Sequence, residues 1–351
     1  MSVRVCFAYR WATYGGVERV FLNRAQAFRD AGLDVSVDVY YGADAGGLSP
    51  FRRAISTLGL DGQLNIVDQL EASRYDAVFV IDSPELISES ERPTTRWIIE
   101  CHTPYAQNRV YLDALAPIVH RVVVPSETFR RTVVAERPAL DARLKLLRNC
   151  VSPRPDSGRV MLPAWRPQAA LYFGRLDELK NPQGLLDLVQ EHDKLGTERC
   201  AAVFLGPELA GYGMRERIEG AGLRGRAFQM PPLDFLNTGD FLAAWRRARG
   251  IMVSPSWGES FGLAAAESIA AGVPVLLSRL PEHMELVGGD ERHLYDLNDA
   301  SGGARKLQAL FEGYDEASAR MTTTAKRFDT SAFLEDWRVL LEDSCEKTVA
   351  A

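Results

Sequence analysis

The chain has 351 residues, of which 46% are hydrophobic and 25% charged, and its formal net charge is −6. That length is more than one ordinary core needs and suits two domains, while the acidic balance excludes wholesale nucleic-acid binding. Residues 1–150 hold 18 basic and 18 acidic side chains, so the whole of the −6 falls on the remainder. The Arg-rich first half leaves contact with an anionic acceptor or a membrane surface open, although nothing else indicates it and a solvated surface explains the pattern as well. No apolar run reaches the length of a membrane span, and the start, MSVRVCFAYR, lacks the pattern of a signal peptide. Five cysteines at 6, 101, 150, 200 and 345 are scattered without metal-ligand spacing, which predicts buried thiols in a reducing cytoplasm.

The elements alternate from the start. VRVCFAY (3–9) reads as a strand, followed by a Gly15-Gly16 turn, an amphipathic helix over about 17–30 and a strand near 35–41. Further strands are predicted at 64–67, 77–81, 96–100, 121–125 and 144–148, with helices at 104–116 and 126–136, and 42–63 reads as a loop region. SPRPDSGRVMLPAWRP (152–167) concentrates prolines and polar residues and reads as a linker. The alternation then restarts with strands at 169–174, 200–206, 226–229, 250–256 and 274–278, and helices at about 182–195, 212–220, 239–247 and 262–271. A last amphipathic helix is predicted over 331–347. The fold class is α/β, with two Rossmann-like doubly wound domains facing a central cleft and a C-terminal helix crossing back. The domains are expected at 1–160, 161–328 and 329–351, and strand-end loops are where such sheets bind ligands.

Four loops carry the chemistry. In SWGESFGLAAAESIAAG (256–272), Glu259 precedes a helix and Glu267 lies inside it. On one helix eight positions span about 12 Å, more than the roughly 5–9.5 Å of a glycosidase acid/base pair. The pair therefore suits the two ends of a long ligand, with the helix-start amides of Phe261, Gly262 and Leu263 as an anion site between them. That describes a polyol–phosphate–polyol, a nucleotide sugar, although a helix-start carboxylate and a solvated one fit the local pattern equally. In FGRLDELKN (173–181), Arg175 and Lys180 share one strand-to-helix loop and can neutralise a diphosphate leaving group. Gly15 and Gly16 offer a phosphate-cradling backbone but no dinucleotide fingerprint. His102 in IIECHTPY (98–105) stands at a strand end, as do Ser126 and Asn149, each of which also suits a cap or turn.

Together, G-R-L-x-x-x-K-N (174–181), E-S-F-G-L-x-x-x-E (259–267) and G-G-x-E (15–18) resemble the retaining glycosyltransferases of family 4, of GT-B fold, in order and spacing over nearly the full chain. The resemblance implies that Arg175 and Lys180 hold the donor diphosphate and that Glu259 contacts hydroxyls of the transferred sugar with the amides of Ser260, Phe261 and Gly262. Leu263 would offer its amide to phosphate and Glu267 would bind the ribose. His102 would stand near the donor sugar, and Gly15, Gly16 and Gly206 near the donor. Two stretches depart from the family: Cys150 stands in RNCV where glycine is usual, and FQMPPL (228–233) replaces the usual base-binding pattern, leaving Pro232 as a positional guess.

The resulting expectation is a cytoplasmic hexosyltransferase using a nucleoside diphosphate sugar, uridine diphosphate being the expected nucleotide, with no metal or other cofactor. The acceptor and the oligomeric state are not legible. The alternatives are another GT-B enzyme such as a sugar-nucleotide 2-epimerase, and a non-catalytic nucleotide-sugar-binding protein.

Overall fold

The computed structural model describes residues 3–87, 95–152, 157, 158, 160, 162 and 168–342. They form two compact units, Met1–Ser152 with Phe328–Ala351, and Pro153–Arg327. The chain leaves the first unit at Ser152, before the boundary expected at 160; most of the proline-rich stretch 152–167 lies outside the described residues, as does Cys345. The other four cysteines are free and buried.

The first unit is built on seven strands: β1 (Val3–Ala12), β2 (Val35–Asp44), β3 (Leu64–Val67), β4 (Ala77–Ile81), β5 (Arg96–Glu100), β6 (Val119–Val124) and β7 (Leu144–Leu146). They pair in the order β3-β2-β1-β4-β5-β6-β7, all parallel. Val5 to Ala8 of β1 and all of β4 are buried, the continuous apolar run that a central strand covered on both faces requires. The strand order reverses between β1 and β4, which makes the loops after those strands the natural ligand end of the sheet.

Helix α1 (Gly16–Asp30) lays Phe21 on Phe7, ring centroids 5.1 Å apart. The C-terminal helix Thr330–Glu342 completes the same core: Trp337 lies 4.7 Å from Phe28 and 5.3 Å from Phe79, and Arg148 grips Asp336 through two bonds of 2.7 Å.

Two expectations are corrected in this unit. Residues 48–57 are not loop but helix α2 (Leu48–Thr57), whose Phe51, Ala54 and Ile55 form one buried stripe; Pro50 falls in the first turn, where its missing N–H costs nothing. Residues 104–116 are not an α-helix: Ala106–Asp113 is a 3₁₀ segment. Its Arg109 turns inward, donates to Thr103 O at 3.0 Å and pairs with Glu136 of α3 (Glu127–Glu136), tying the segment back onto its own start.

The second unit repeats the pattern with β8 (Gln168–Phe173), β9 (Cys200–Leu205), β10 (Ala227–Met230), β11 (Ile251–Ser254), β12 (Val275–Ser278) and β13 (Leu294–Tyr295). All are parallel in the order β10-β9-β8-β11-β12-β13. Helices α4 (Gln183–Asp193), α5 (Met214–Gly220), α6 (Thr238–Arg247), α7 (Leu263–Ala270), α8 (Pro281–Leu286), α9 (Ala300–Glu312) and α10 (Tyr314–Thr324) accompany it. Because β8 pairs directly with β11, the loop carrying Arg175 and Lys180 lies beside the loop carrying Glu259. Among the described residues no helix is long and apolar enough to cross a membrane.

Candidate active site

The two loops of the second unit are stitched together by their own polar groups. Trp257 N donates to Leu179 O at 2.8 Å, and Asn181, in the left-handed region at φ 49°, donates Nδ2 to Pro255 O at 2.9 Å. Gly184 in the first turn of α4 sits so close that a Cβ would lie 2.7 Å from Pro255 Cβ. At the centre, Lys180 Nζ and Glu259 Oε2 are 2.7 Å apart, and Ser256 Oγ donates to Glu259 Oε1 at 2.9 Å. Burial pushes the Glu259 carboxyl up, but the Lys180 charge, His283 and the hydrogen bonds from Lys180 and Ser256 outweigh it and hold the group ionised, below the usual carboxylate range.

Three supporting residues went unread in the sequence. Asp177, buried beneath the first loop, accepts from Lys180 N at 2.8 Å and pairs with Arg175 Nε, so one carboxylate holds the backbone of one cation and the guanidinium of the other. Ser256 holds Glu259. His283 of α8 lies under the second loop: its Nδ1 is 2.9 Å from Ser278 O, a pure acceptor, so Nδ1 carries the proton. Burial lowers the His283 pKa, and Nε2 faces Ser254 Oγ at 3.4 Å.

Glu267 is a buried residue of α7. Gly262 caps that helix at φ 87°, a conformation only glycine adopts cheaply, and a Cβ there would lie 3.1 Å from Leu286 Cδ1. The first-turn amides that follow, beginning at Leu263, have no intrahelical partner, the general condition of a helix start. Ser260 is half-buried, Phe261 buried and Arg175 exposed. Gly206 has a packing reason for its identity: a Cβ would fall 1.9 Å from Gly174 O, where the loops after β8 and β9 touch. Pro232 is exposed on the loop after β10. The structure thus brings Arg175, Lys180, Glu259 and the 260–263 backbone onto two touching loops.

In the first unit, Glu18 of α1 reaches back over the glycine loop. Its carboxylate accepts from Gly15 N at 2.6 Å and Thr13 N at 3.0 Å, so the Gly15 amide is already engaged. Gly16 is exposed, and a Cβ there would meet nothing within 4 Å. His102 follows β5 and contacts Glu100 and Asp82, neither of which the sequence motifs marked. Ser126 caps α3 by accepting from Phe129 N at 3.2 Å. Among the described residues no cluster of His, Cys, Asp and Glu has the makings of a metal site.

Residues 164–328, nearly all of the second unit, match the family described as glycosyl transferases group 1. The chain is 31% identical over 162 residues to a D-inositol 3-phosphate glycosyltransferase of Pseudarthrobacter chlorophenolicus, and 33% identical over 190 residues to the protein of that name from Streptomyces avermitilis. These alignments take in 43% and 50% of this chain and 35% and 39% of those proteins, so the chain spans well under half the length of the curated relatives it matches. Among solved structures, HepE of Anabaena, in complex with UDP and glucose, superposes with a TM-score of 0.73 at 16% identity over 97% of this chain and 100% of its own. TarM of S. aureus, in a complex that includes UDP, gives 0.75 at 11% identity over 96% and 99%. At these identities the likeness shows the fold, and two parallel Rossmann-like units make it GT-B.

Proposed function

We propose that the chain is a retaining glycosyltransferase of family 4 that moves a hexose-type sugar from a UDP-sugar to a hydroxyl acceptor. The observation that carries the reading is the convergence of Arg175, Lys180 and Glu259 on two adjoining strand-end loops, ahead of a glycine-capped helix start. Arg175 and Lys180 stabilise the charge that develops on the departing diphosphate, with the α7 amides as further donors. Ionised Glu259 accepts hydrogen bonds from sugar hydroxyls, Glu267 takes the ribose, and His102 meets the transferred sugar. The positive charge comes from the two side chains, so transfer needs no metal. The likeness to proteins solved with UDP supports uridine diphosphate as the nucleotide.

The test is incubation of the full chain with UDP-glucose, UDP-N-acetylglucosamine and other nucleotide sugars, with and without chelator, followed by detection of released UDP. D-inositol 3-phosphate belongs in the acceptor panel because it is in the name of the curated relatives. Release of UDP that R175A and E259A abolish, and that chelator leaves intact, supports the reading. An epimerised nucleotide sugar, or binding without turnover, replaces it with one of the two alternatives.

A further inference from the structure

His102 stands at the end of β5 with its side chain 11% exposed, and the charges behind it are wholly buried. Glu100 receives both Nη groups of Arg24, at 2.7 and 2.8 Å. The Oε2 that takes Arg24 Nη2 also lies 3.0 Å from His102 Nε2. Arg24 itself is sandwiched, its guanidinium carbon 5.3 Å from the Phe7 ring centroid and 5.5 Å from that of Phe333. A guanidinium does not give up its proton in a protein, and an ionised carboxylate offers only lone pairs. Burial pushes Glu100 up, yet Arg24 foremost, with His102, brings it down to about 2, so it is ionised throughout the working range. A ring nitrogen facing that carboxylate must carry a hydrogen. Asp82 approaches from the other side, but it meets His102 through the backbone: His102 N donates to Oδ1 at 3.0 Å and to Oδ2 at 3.2 Å, and Tyr111 OH donates to Oδ1 at 2.8 Å. No hydrogen bond from the described residues engages His102 Nδ1.

We infer that Glu100, locked by Arg24, fixes His102 as its Nε2–H tautomer, so that Nδ1 is the lone-pair nitrogen presented to a hydroxyl. The last clause rests on the function proposed above, in which that hydroxyl belongs to the donor sugar; the tautomer itself does not. Arg24 is as necessary as Glu100. Left uncompensated, the buried carboxylate would draw a second proton onto the ring and turn Nδ1 from acceptor into donor. The pair therefore sets which hydrogen bond the histidine makes. Arg24 and Glu100 are positioning residues, since neither reaches the ligand side of the ring.

Long-range proton–nitrogen spectra of the full chain with isotope-labelled histidine read the tautomer directly, His102 being assigned from H102Q. At mildly alkaline pH without ligand, His102 should show the neutral Nε2–H form alone. In R24M/E100M, which removes both buried charges together, the Nδ1–H form should appear alongside it. A wild-type ring that is Nδ1–H or imidazolium overturns the inference, as does an unmixed Nε2–H signal in the folded double variant. If the double variant does not fold, the wild-type spectrum decides. Added UDP-glucose should then move the Nδ1 resonance and leave Nε2 nearly in place. An Nε2–H ring that ignores UDP-glucose upholds the tautomer and counts against the glycosyl-donor reading.

Discussion

Lys180 Nζ and Glu259 Oε2 lie 2.7 Å apart, the ion pair among the contacts that join the loop after β8 to the loop after β11. Both side chains are largely buried, and Lys180 is the foremost charge holding the Glu259 carboxyl down. K180M leaves the Glu259 carboxylate without its cation, and stability should fall by about 1–3 kcal/mol. In K180M/E259Q the buried charge is gone too, and a double-mutant cycle by urea denaturation should return a coupling of about 1–3 kcal/mol. Transfer should stay lost in the double variant, because the diphosphate has lost one of its two cations and the sugar its carboxylate. Additive stabilities would show that the contact carries no coupling.

Asp177 should act on rate through its two neighbours. D177A removes the acceptor of Lys180 N and the partner of Arg175 Nε. A loss equivalent to one bond to a charged group, about 1.5–3 kcal/mol, makes a drop in kcat/KM of roughly 10–150-fold the expected result of steady-state kinetics. Unchanged kinetics would mean the cations hold their positions without it.

Three glycines separate packing from function. G206A meets Gly174 O at 1.9 Å and should lower the melting temperature most. G262A forces alanine to φ 87° and should cost about 1–2 kcal/mol, along with weaker nucleotide binding as the α7 start shifts. G16A meets nothing within 4 Å, so its stability should stay within about 0.5 kcal/mol of wild type. Any loss of turnover in G16A then reports the ligand side of the first loop.

Acid stability should carry the signature of Glu100. Its carboxyl titrates near 2 in the folded chain against an ordinary 4.5, so the folded state binds fewer protons. The stabilisation is full above about pH 4.5 and is lost as pH falls towards about 2. Denaturant midpoints across that window should fall more steeply for wild type than for R24M/E100M. Parallel curves would remove Glu100 from the acid transition.

The sequence made the strands and the two donor motifs legible because each is a local pattern. The apolar runs of β1, β4, β8 and β9 read as strands, and the G-R-L-x-x-x-K-N and E-S-F-G-L-x-x-x-E stretches read as strand-end loops leading into helices. What joins the motifs was not legible. That β8 lies beside β11 is a long-range fact of sheet order, so Lys180 and Glu259 were given separate ligands when they also hold each other. Arg24 and Glu100 carried no signal, because a charged residue on a helix or at a strand end reads as surface until its partner is known. His283 lies on six-residue α8, in a stretch after β12 whose short elements give no periodicity. The α2 stripe was hidden by Pro50 and the glycines before it.

Nucleotide recognition by the second unit underlies every role proposed for Arg175, Lys180 and Glu259. Calorimetric titration of the full chain with UDP, beside R175A/K180A, tests it. Saturable binding by wild type that weakens about 100-fold or more in the double variant is the result predicted, each lost charge-assisted contact being worth about 1.5–3 kcal/mol. Absence of saturable binding, or equal affinity in the two proteins, would contradict it.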